Sequence, residues 1–235
     1  MPQPFLFRVI DKAVYDYNMI EDNDRILVGA SGGKDSTALV HYLAMRQRRP
    51  REHFSFTALH IESEITPPLD GRLLSLFKSW NVEVQSLSVN VLARLKPGRT
   101  MNCWWCSTQR RTELLNFALS HGYTKLALGH HLDDILETLL MNILHKGELS
   151  SMAPRMNYRS YPLTVIRPLC YAEEDAISAH GRETGYISST CTCGFQDNSF
   201  RKEARRRLEL LTDGERSKKQ RFFAALKNIQ PEYLP

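Results

Sequence analysis

The sequence predicts an α/β protein, a Rossmann-like open parallel sheet with helices on both faces and a basic helical segment at the C-terminal end. Three observations carry this expectation. Short apolar runs alternate with longer stretches of helical spacing, the signature of consecutive βαβ units. A glycine-rich turn stands directly between the first apolar run and the helical stretch after it. Three of the runs end in residues able to do chemistry, at positions 31–36, 60–62 and 130–134. Open α/β sheets bind ligands there, beyond the carboxyl ends of strands and near a topological switch point.

Taken in order, RILVGA (25–30) is a short strand ending in small residues, and TALVHYLAMRQRR is the helix that follows the turn. FSFTALHI (54–61) is the second strand, and Pro67-Pro68 breaks the chain after it. Residues 69–80 have helical spacing, and VEVQSLSV (82–89) alternates as a strand does. Residues 90–101 are irregular, with Pro97 and Gly98. An amphipathic helix over 106–122 ends at Gly122, and KLALGH (125–130) is a buried strand. The next helix closes at Gly147, LTVIRPL (163–169) reads as a strand, and 173–183 as a helix. No repeat or separating linker interrupts the series. The expected organisation is therefore one domain, a core over 1–198 and a basic helical tail over 199–235.

Composition narrows the class. With 235 residues, 42% hydrophobic and 24% charged, the chain falls outside the disordered and low-complexity ranges. No apolar run approaches the roughly 18–20 residues that span a bilayer, so no membrane partner is expected. No basic segment followed by an apolar one opens the chain, which predicts no signal peptide and a cytoplasmic location. In that reducing compartment the five cysteines are ligands, nucleophiles or core residues rather than disulfides. The net charge of +5 is concentrated near the C-terminus, where residues 199–227 hold ten Lys/Arg against four acids. Such a stretch is either a solvated helix face or an attractor for a polyanion.

The turn Ser31-Gly32-Gly33-Lys34-Asp35-Ser36 opens a helix. Its glycines let backbone N–H groups approach an anion, the helix N-terminus adds partial positive charge, and Lys34 adds a point charge. The spacing is neither that of a Walker A loop nor GxGxxG. A second cluster, Gly129-His130-His131-Leu132-Asp133-Asp134, follows the fourth strand. Asp133 and Glu137 lie four apart on one helix face, a pair suited to Mg²⁺ bridging ATP phosphates. Asp134 reads as an acid satisfying the helix N-terminus.

Cysteines form the third group. Cys103-Trp104-Trp105-Cys106 is a CxxC before a helix, Cys191-Thr192-Cys193 lies far downstream, and Cys170 reads as a small buried hydrophobe. A redox pair, a four-cysteine zinc site and a three-cysteine [4Fe–4S] site with one open iron are the alternatives. Trp104 and Trp105 are stacking platforms for a base or covers over such a site.

Ser31–Ser36 resembles the SGGxDS loop of the PP-loop ATP pyrophosphatases, which split ATP between the α- and β-phosphates. Over about residues 9–207 the chain is similar to the tRNA-cytidine 2-sulfurtransferases, the TtcA family. The likeness lies in SGGKDS, CWWCSTQRR, GHHLDDILETLLMNILHKGEL, MAPRM, VIRPL and CGFQDN. It implies a PP-loop fold, ATP and Mg²⁺ as cofactors, and a [4Fe–4S] cluster on Cys103, Cys106 and Cys193. By the same resemblance, Ser31, Gly32, Gly33, Lys34, Asp35, Ser36, His60, Gly129 and Asp133 bind the nucleotide and metal. Asp35, Cys103 and Cys106 take part in the chemistry. The implied reaction adenylates a cytidine carbonyl oxygen of tRNA and replaces it with sulfur, the cluster being the sulfur carrier.

Partners implied are tRNA and a sulfur donor such as a cysteine desulfurase, and a homodimer is compatible with the sequence. A polyanionic substrate makes Arg110, Arg111 and the tail arginines, Arg201–Arg207 and Arg216–Arg221, candidate phosphate contacts. Two departures from the family pattern stand out: CxC in place of a second CxxC, and Glu62 where the second strand of many relatives ends in Asp. The competing readings are a PP-loop ligase or amidotransferase of the lysidine synthetase type with structural cysteines, and a zinc-stabilised RNA-binding module.

Overall fold

The computed structural model describes residues 3–96, 98, 101–158, 161–186 and 199–233, without the side chains of Cys103, Trp104 and Ser199. Its six strands are β1 (Arg25–Gly29), β2 (Ser55–Glu62), β3 (Val84–Ser88), β4 (Lys125–Ala127), β5 (Arg155–Asn157) and β6 (Thr164–Ile166). They form one sheet in the order β3-β2-β1-β4-β6-β5. All neighbours are parallel except β5, which runs antiparallel to β6 at the edge. The strand order reverses between β1 and β4, which makes their carboxyl ends the switch point of the sheet.

Helices cover both faces, as expected. On one face α1 (Phe5–Asp16), α2 (Lys34–Gln47), α3 (Gly71–Ser79) and α5 (Leu132–Lys146) share a core with Ile26, Val28, Ala58 and Ala127. On the other, α4 (Cys103–Ser120) sets Leu114, Leu115 and Ala118 against Leu27, Leu59, Leu126 and Val165. The alternation of 26 and 28 with 27 is the two-residue period of a strand buried on both sides. The helix α6 (Glu174–Thr184) packs beside α2, and α7 (Ser199–Thr212) and α8 (Arg216–Ala225) pack on α5. No described helix is long and apolar enough to cross a membrane.

Three elements depart from the reading of the sequence. Helix α1, unread there, buries Leu6, Phe7, Ile10, Ala13 and Val14 along one stripe. Helix α4 starts three residues before the expected Cys106, because the Asn102 side chain caps it by accepting the Trp105 N–H at 2.9 Å. The strand expected over 163–169 stops at Ile166, since Pro168 has no N–H for a ladder and opens a 3₁₀ turn. Cys170 is fully buried in that turn, and burial pushes its thiol up to about 12, which suits a packing residue.

On α2, His41 stacks on Trp80 with ring centroids 4.0 Å apart, and its Nδ1 lies 3.1 Å from His180 Nε2. Burial, followed by His180 and Arg48, holds His41 down to about 4, against an ordinary value of 6.5. Between those two pH values the unfolded chain binds a proton at this position that the folded chain does not. Stability therefore falls as pH drops from about 6.5 towards 4 and recovers as it rises. Urea denaturation from pH 4 to 7 is expected to show that slope. His41→Phe, which keeps a stacked ring, is expected to reduce it by the His41 share, leaving the part that His130 and His180 contribute with the same sign.

Candidate nucleotide cleft

Past β1 the chain turns through Ser31 and Gly32, and Gly32 has φ +81°, a left-handed conformation that glycine adopts without strain. Helix α2 follows with Gly33 at its cap, and no side chain caps its first turn. The first N–H groups of a helix have no intrahelical partner, so an end of this kind can take an anion. Hydroxyls hold the loop in place. Ser36 and Thr37 both donate to the Gly33 carbonyl at 3.0 Å, and Ser31 Oγ lies 3.0 Å from Ser36 Oγ.

The loop after β4 closes in from the neighbouring strand. A Cβ added at Gly129 would stand 3.0 Å from the Ser36 nitrogen and 3.2 Å from the Asp35 carbonyl carbon. Only a residue without a side chain lets the two loops approach this closely. Between them lies a cleft of about 300 Å³. Ser31, Asp35 and Ser36 line one wall, and Gly129, His130 and Asp134 another. His60 and Thr66 close the β2 side, Ser107, Arg110 and Arg111 of α4 form the opposite wall, and Arg201 of α7 enters at the rim.

The charges in the cleft are tuned by burial and by neighbours. Burial raises Asp35 above its ordinary range, partly offset by His131 and Lys34, and its Oδ1 accepts no hydrogen bond. Burial would raise Asp134 as well, but His131 and Arg201 outweigh it and leave that carboxyl lowered. His130 is held well below its ordinary value by burial and by Arg167, whose Nε lies 3.3 Å from His130 Nδ1. The proton of the neutral ring then sits on Nε2. His60 is a buried brace, with Nδ1 2.7 Å from the Ala30 carbonyl oxygen and Nε2 3.0 Å from that of Pro67.

Of the residues the sequence singled out, Ser31, Asp35, Ser36, His60 and Gly129 meet at this cleft, while Gly32 and Gly33 shape its loop. Lys34 does not line it: its Nζ lies 2.9 Å from Glu174 and 3.2 Å from Asp35. Asp133, expected on the nucleotide, is not among the side chains lining this cleft. It pairs with Lys219 of α8 at 2.9 Å and accepts the Glu174 N–H at 2.9 Å, and its successor Asp134 faces the cleft instead. Glu137, its expected partner on magnesium, is fully buried against Arg205 at 2.7 Å.

Cys106 is buried in the first turns of α4, beside the cleft-lining Ser107. Cys103 opens the same helix; its side chain, like Cys191 and Cys193, lies outside the described residues.

Most of the tail's cations are paired within the protein. Arg206 and Arg207 pair with Glu203 at 3.0 and 2.8 Å, Arg216 with Glu173 at 3.0 Å, and Lys218 with Asp213 and Glu215. Of the tail arginines Arg201 alone lines the cleft, together with Arg110 and Arg111. Sequence reasoning passed over Asp134 as a cleft residue and missed Arg167 and Glu174. Asp134 had a signal in the Asp133-Asp134 pair, whereas the other two are recognisable only from tertiary contacts.

A glycine-bearing loop at the switch point of a mostly parallel sheet is shared by several classes of nucleotide-binding fold. The PP-loop domain profile, which matches residues 7–203, places the chain in the PP-loop class. Two relatives carry the description tRNA-cytidine(32) 2-sulfurtransferase. The one from Geobacter metallireducens is 37% identical over 235 residues, covering 96% of this chain and 90% of that one. The one from Anaeromyxobacter dehalogenans is 35% identical over 234 residues, covering 97% and 80%. The chain belongs to this family of sulfurtransferases.

Among solved structures, the fold is similar to the U34-tRNA thiolase NcsA from Methanococcus maripaludis with its [4Fe-4S] cluster. The TM-score is 0.75 at 19% identity, covering 96% of this chain and 80% of that one. It is also similar to the NMN synthetase from Francisella tularensis, with a TM-score of 0.53 at 16% identity, covering 95% and 90%.

Gly129→Ala tests the loop contact directly. The added methyl meets backbone at 3.0 Å, so the loops must part. A loss of about 1–3 kcal/mol in stability is expected, as for other overpacked sites. Affinity for α,β-methylene-ATP, measured by calorimetry, is expected to fall with it.

Proposed function

We propose that the chain uses ATP to replace the 2-oxygen of a tRNA cytidine with sulfur. The observation that carries this reading is the sharing of one cleft by the phosphate loop and by Ser107, Arg110 and Arg111, which follow the CxxC on α4. An ATP phosphate end and a base presented beside α4 would meet there.

ATP binds with its β- and γ-phosphates on the open N-terminus of α2. The cytidine carbonyl oxygen attacks the α-phosphate and pyrophosphate leaves. A sulfur nucleophile then adds at the activated carbon, and AMP departs with the former carbonyl oxygen. Loop amides and the cleft arginines stabilise the charge that builds on the phosphates. His130 Nε2–H supplies a neutral donor in the same space. Magnesium fits Asp35 and Asp134: both line the cleft, and the buried Asp35 Oδ1 accepts no hydrogen bond, its neighbour being the Lys34 ammonium at 3.2 Å.

An iron–sulfur cluster fits the thiol set. Positions 103 and 106 are one helical turn apart at the start of α4 and Cys106 is shielded from water, so these two would hold the cluster, with Cys193 as the third thiolate that the family resemblance implies. When bound, the cluster supplies an open iron site able to hold sulfur. The substrate base must be unpaired to enter, which favours a loop nucleotide of tRNA.

Nucleoside mass spectrometry of tRNA from cells lacking the protein tests the reading, with complementation by the wild type and by Cys103→Ala. Loss of 2-thiocytidine, restored only by the wild type, is expected. Anaerobically purified wild-type protein is expected to be brown and to hold iron and sulfide that Cys103→Ala lacks. Unchanged 2-thiocytidine in the deletion strain overturns the function, and a Cys103→Ala protein that keeps both iron and thiolation overturns the cluster.

A further inference from the structure

Glu174, the first residue of α6, lies between two cations from distant parts of the chain. Its Oε1 is 2.9 Å from Lys34 Nζ of the phosphate loop, and its Oε2 is 3.4 Å from Arg205 of α7. Arg205 in turn donates to Glu137 Oε1 at 2.7 Å. The other oxygen of Glu137 is buried, accepts no hydrogen bond and lies 3.5 Å from Arg201. Arg201 reaches the cleft, 3.6 Å from Asp134. Charges of alternating sign therefore run from Lys34 through Glu174, Arg205, Glu137 and Arg201 to Asp134. The path leaves the phosphate loop, crosses α6, α7 and α5, and returns to the same cleft.

One carboxylate thus serves both Lys34 and Arg205. A phosphate in the loop would compete with Glu174 for the Lys34 ammonium, which does not line the cleft while it is paired but stands 3.2 Å from the cleft-lining Asp35. When Lys34 turns to the phosphate, Glu174 is left to Arg205 alone. Because Arg205 also grips the buried Glu137, any tightening there bears on α7 as a whole and on Arg201 at the rim.

We propose that Glu174 is a positioning residue that couples filling of the phosphate loop to the seating of α7, and through Arg201 to the cleft. The inference rests on the ATP-dependent reading above. Linkage makes the coupling reciprocal: nucleotide tightens α7, and a well-seated α7 favours nucleotide. Glu174 and Lys34 are both partly exposed, so the effect has the size of a partly exposed ion pair, about two- to five-fold.

Hydrogen exchange of the full chain, with and without saturating α,β-methylene-ATP and Mg²⁺, tests the coupling. In the wild type, amide exchange in α7 is expected to slow by about two- to five-fold on binding the analogue. In Glu174→Gln, Lys34 loses the Glu174 carboxylate and keeps Asp35, so the analogue is expected to bind about two- to five-fold more tightly while α7 exchange stays unchanged. A wild-type α7 that ignores bound analogue, or a Glu174→Gln α7 that responds as the wild type does, overturns the coupling. An analogue that fails to bind the wild type overturns the ATP reading itself, and the coupling falls with it.

Discussion

The close approach of Gly129 to the backbone of Asp35 and Ser36 sets the geometry on which the rest of the cleft depends. Strands β1 and β4 are neighbours in the sheet although β2, β3 and their helices lie between them in sequence. The loops leaving these two strands diverge to start α2 and α5, and without a side chain at position 129 they touch. Two helix N-termini therefore stand at the same space, that of α2 without a side-chain cap and that of α5 capped by Asp134, which accepts the His131 N–H. With a larger residue at 129 the His130 and Asp134 wall would stand off from Ser31 and Ser36. The remaining cleft residues could not correct that from the periphery.

Charge is handled by the same economy of contacts. The basic tail looks in sequence like a surface for a polyanion, yet most of its cations face carboxylates of the protein itself. Buried carboxylates such as Glu137 and Asp133 are unfavourable without a partner, and truncating one member of such a pair leaves the other stranded. Helices α7 and α8 therefore satisfy α5 and α6 before they can serve any ligand. The local positive excess is real, but its electrostatic reach is smaller than the residue count suggests. Charge reversal at Arg205 would disturb α5 as much as any RNA contact.

Much of this was legible in the sequence, for physical reasons that also explain what was not. The phosphate loop and the βαβ alternation are local: a glycine turn after an apolar run and before helical spacing fixes strand, loop and helix together. The choice between Asp133 and Asp134 is not local. Adjacent helical positions differ by about 100° around the axis, so one faces the cleft and the other α8. Helix α5 is covered on both sides, and periodicity alone could not say which side held the ligand. Lys34 was read from its place in the loop, but its side chain follows Glu174, a partner 140 positions away. The edge strand β5 has three residues and little pattern of its own; it exists because β6 offers it an edge.

Helix α4 shows how packing can carry chemistry without a dedicated element. Leu114 and Ala118 must face the sheet, because they meet Leu27, Leu59 and Leu126 there. Stepping back along the helix by three, four, seven and eight residues from Leu114 gives Arg111, Arg110, Ser107 and Cys106, and eleven gives position 103. On an α-helix those positions share one stripe. Three of them, Ser107, Arg110 and Arg111, line the cleft. The rotation that buries the apolar end of α4 therefore turns its N-terminal end towards the carboxyl edge of the sheet. A helix anchored by its leucines thus brings Ser107, Arg110 and Arg111 to the cleft, with positions 106 and 103 on the same stripe one and two turns nearer its start.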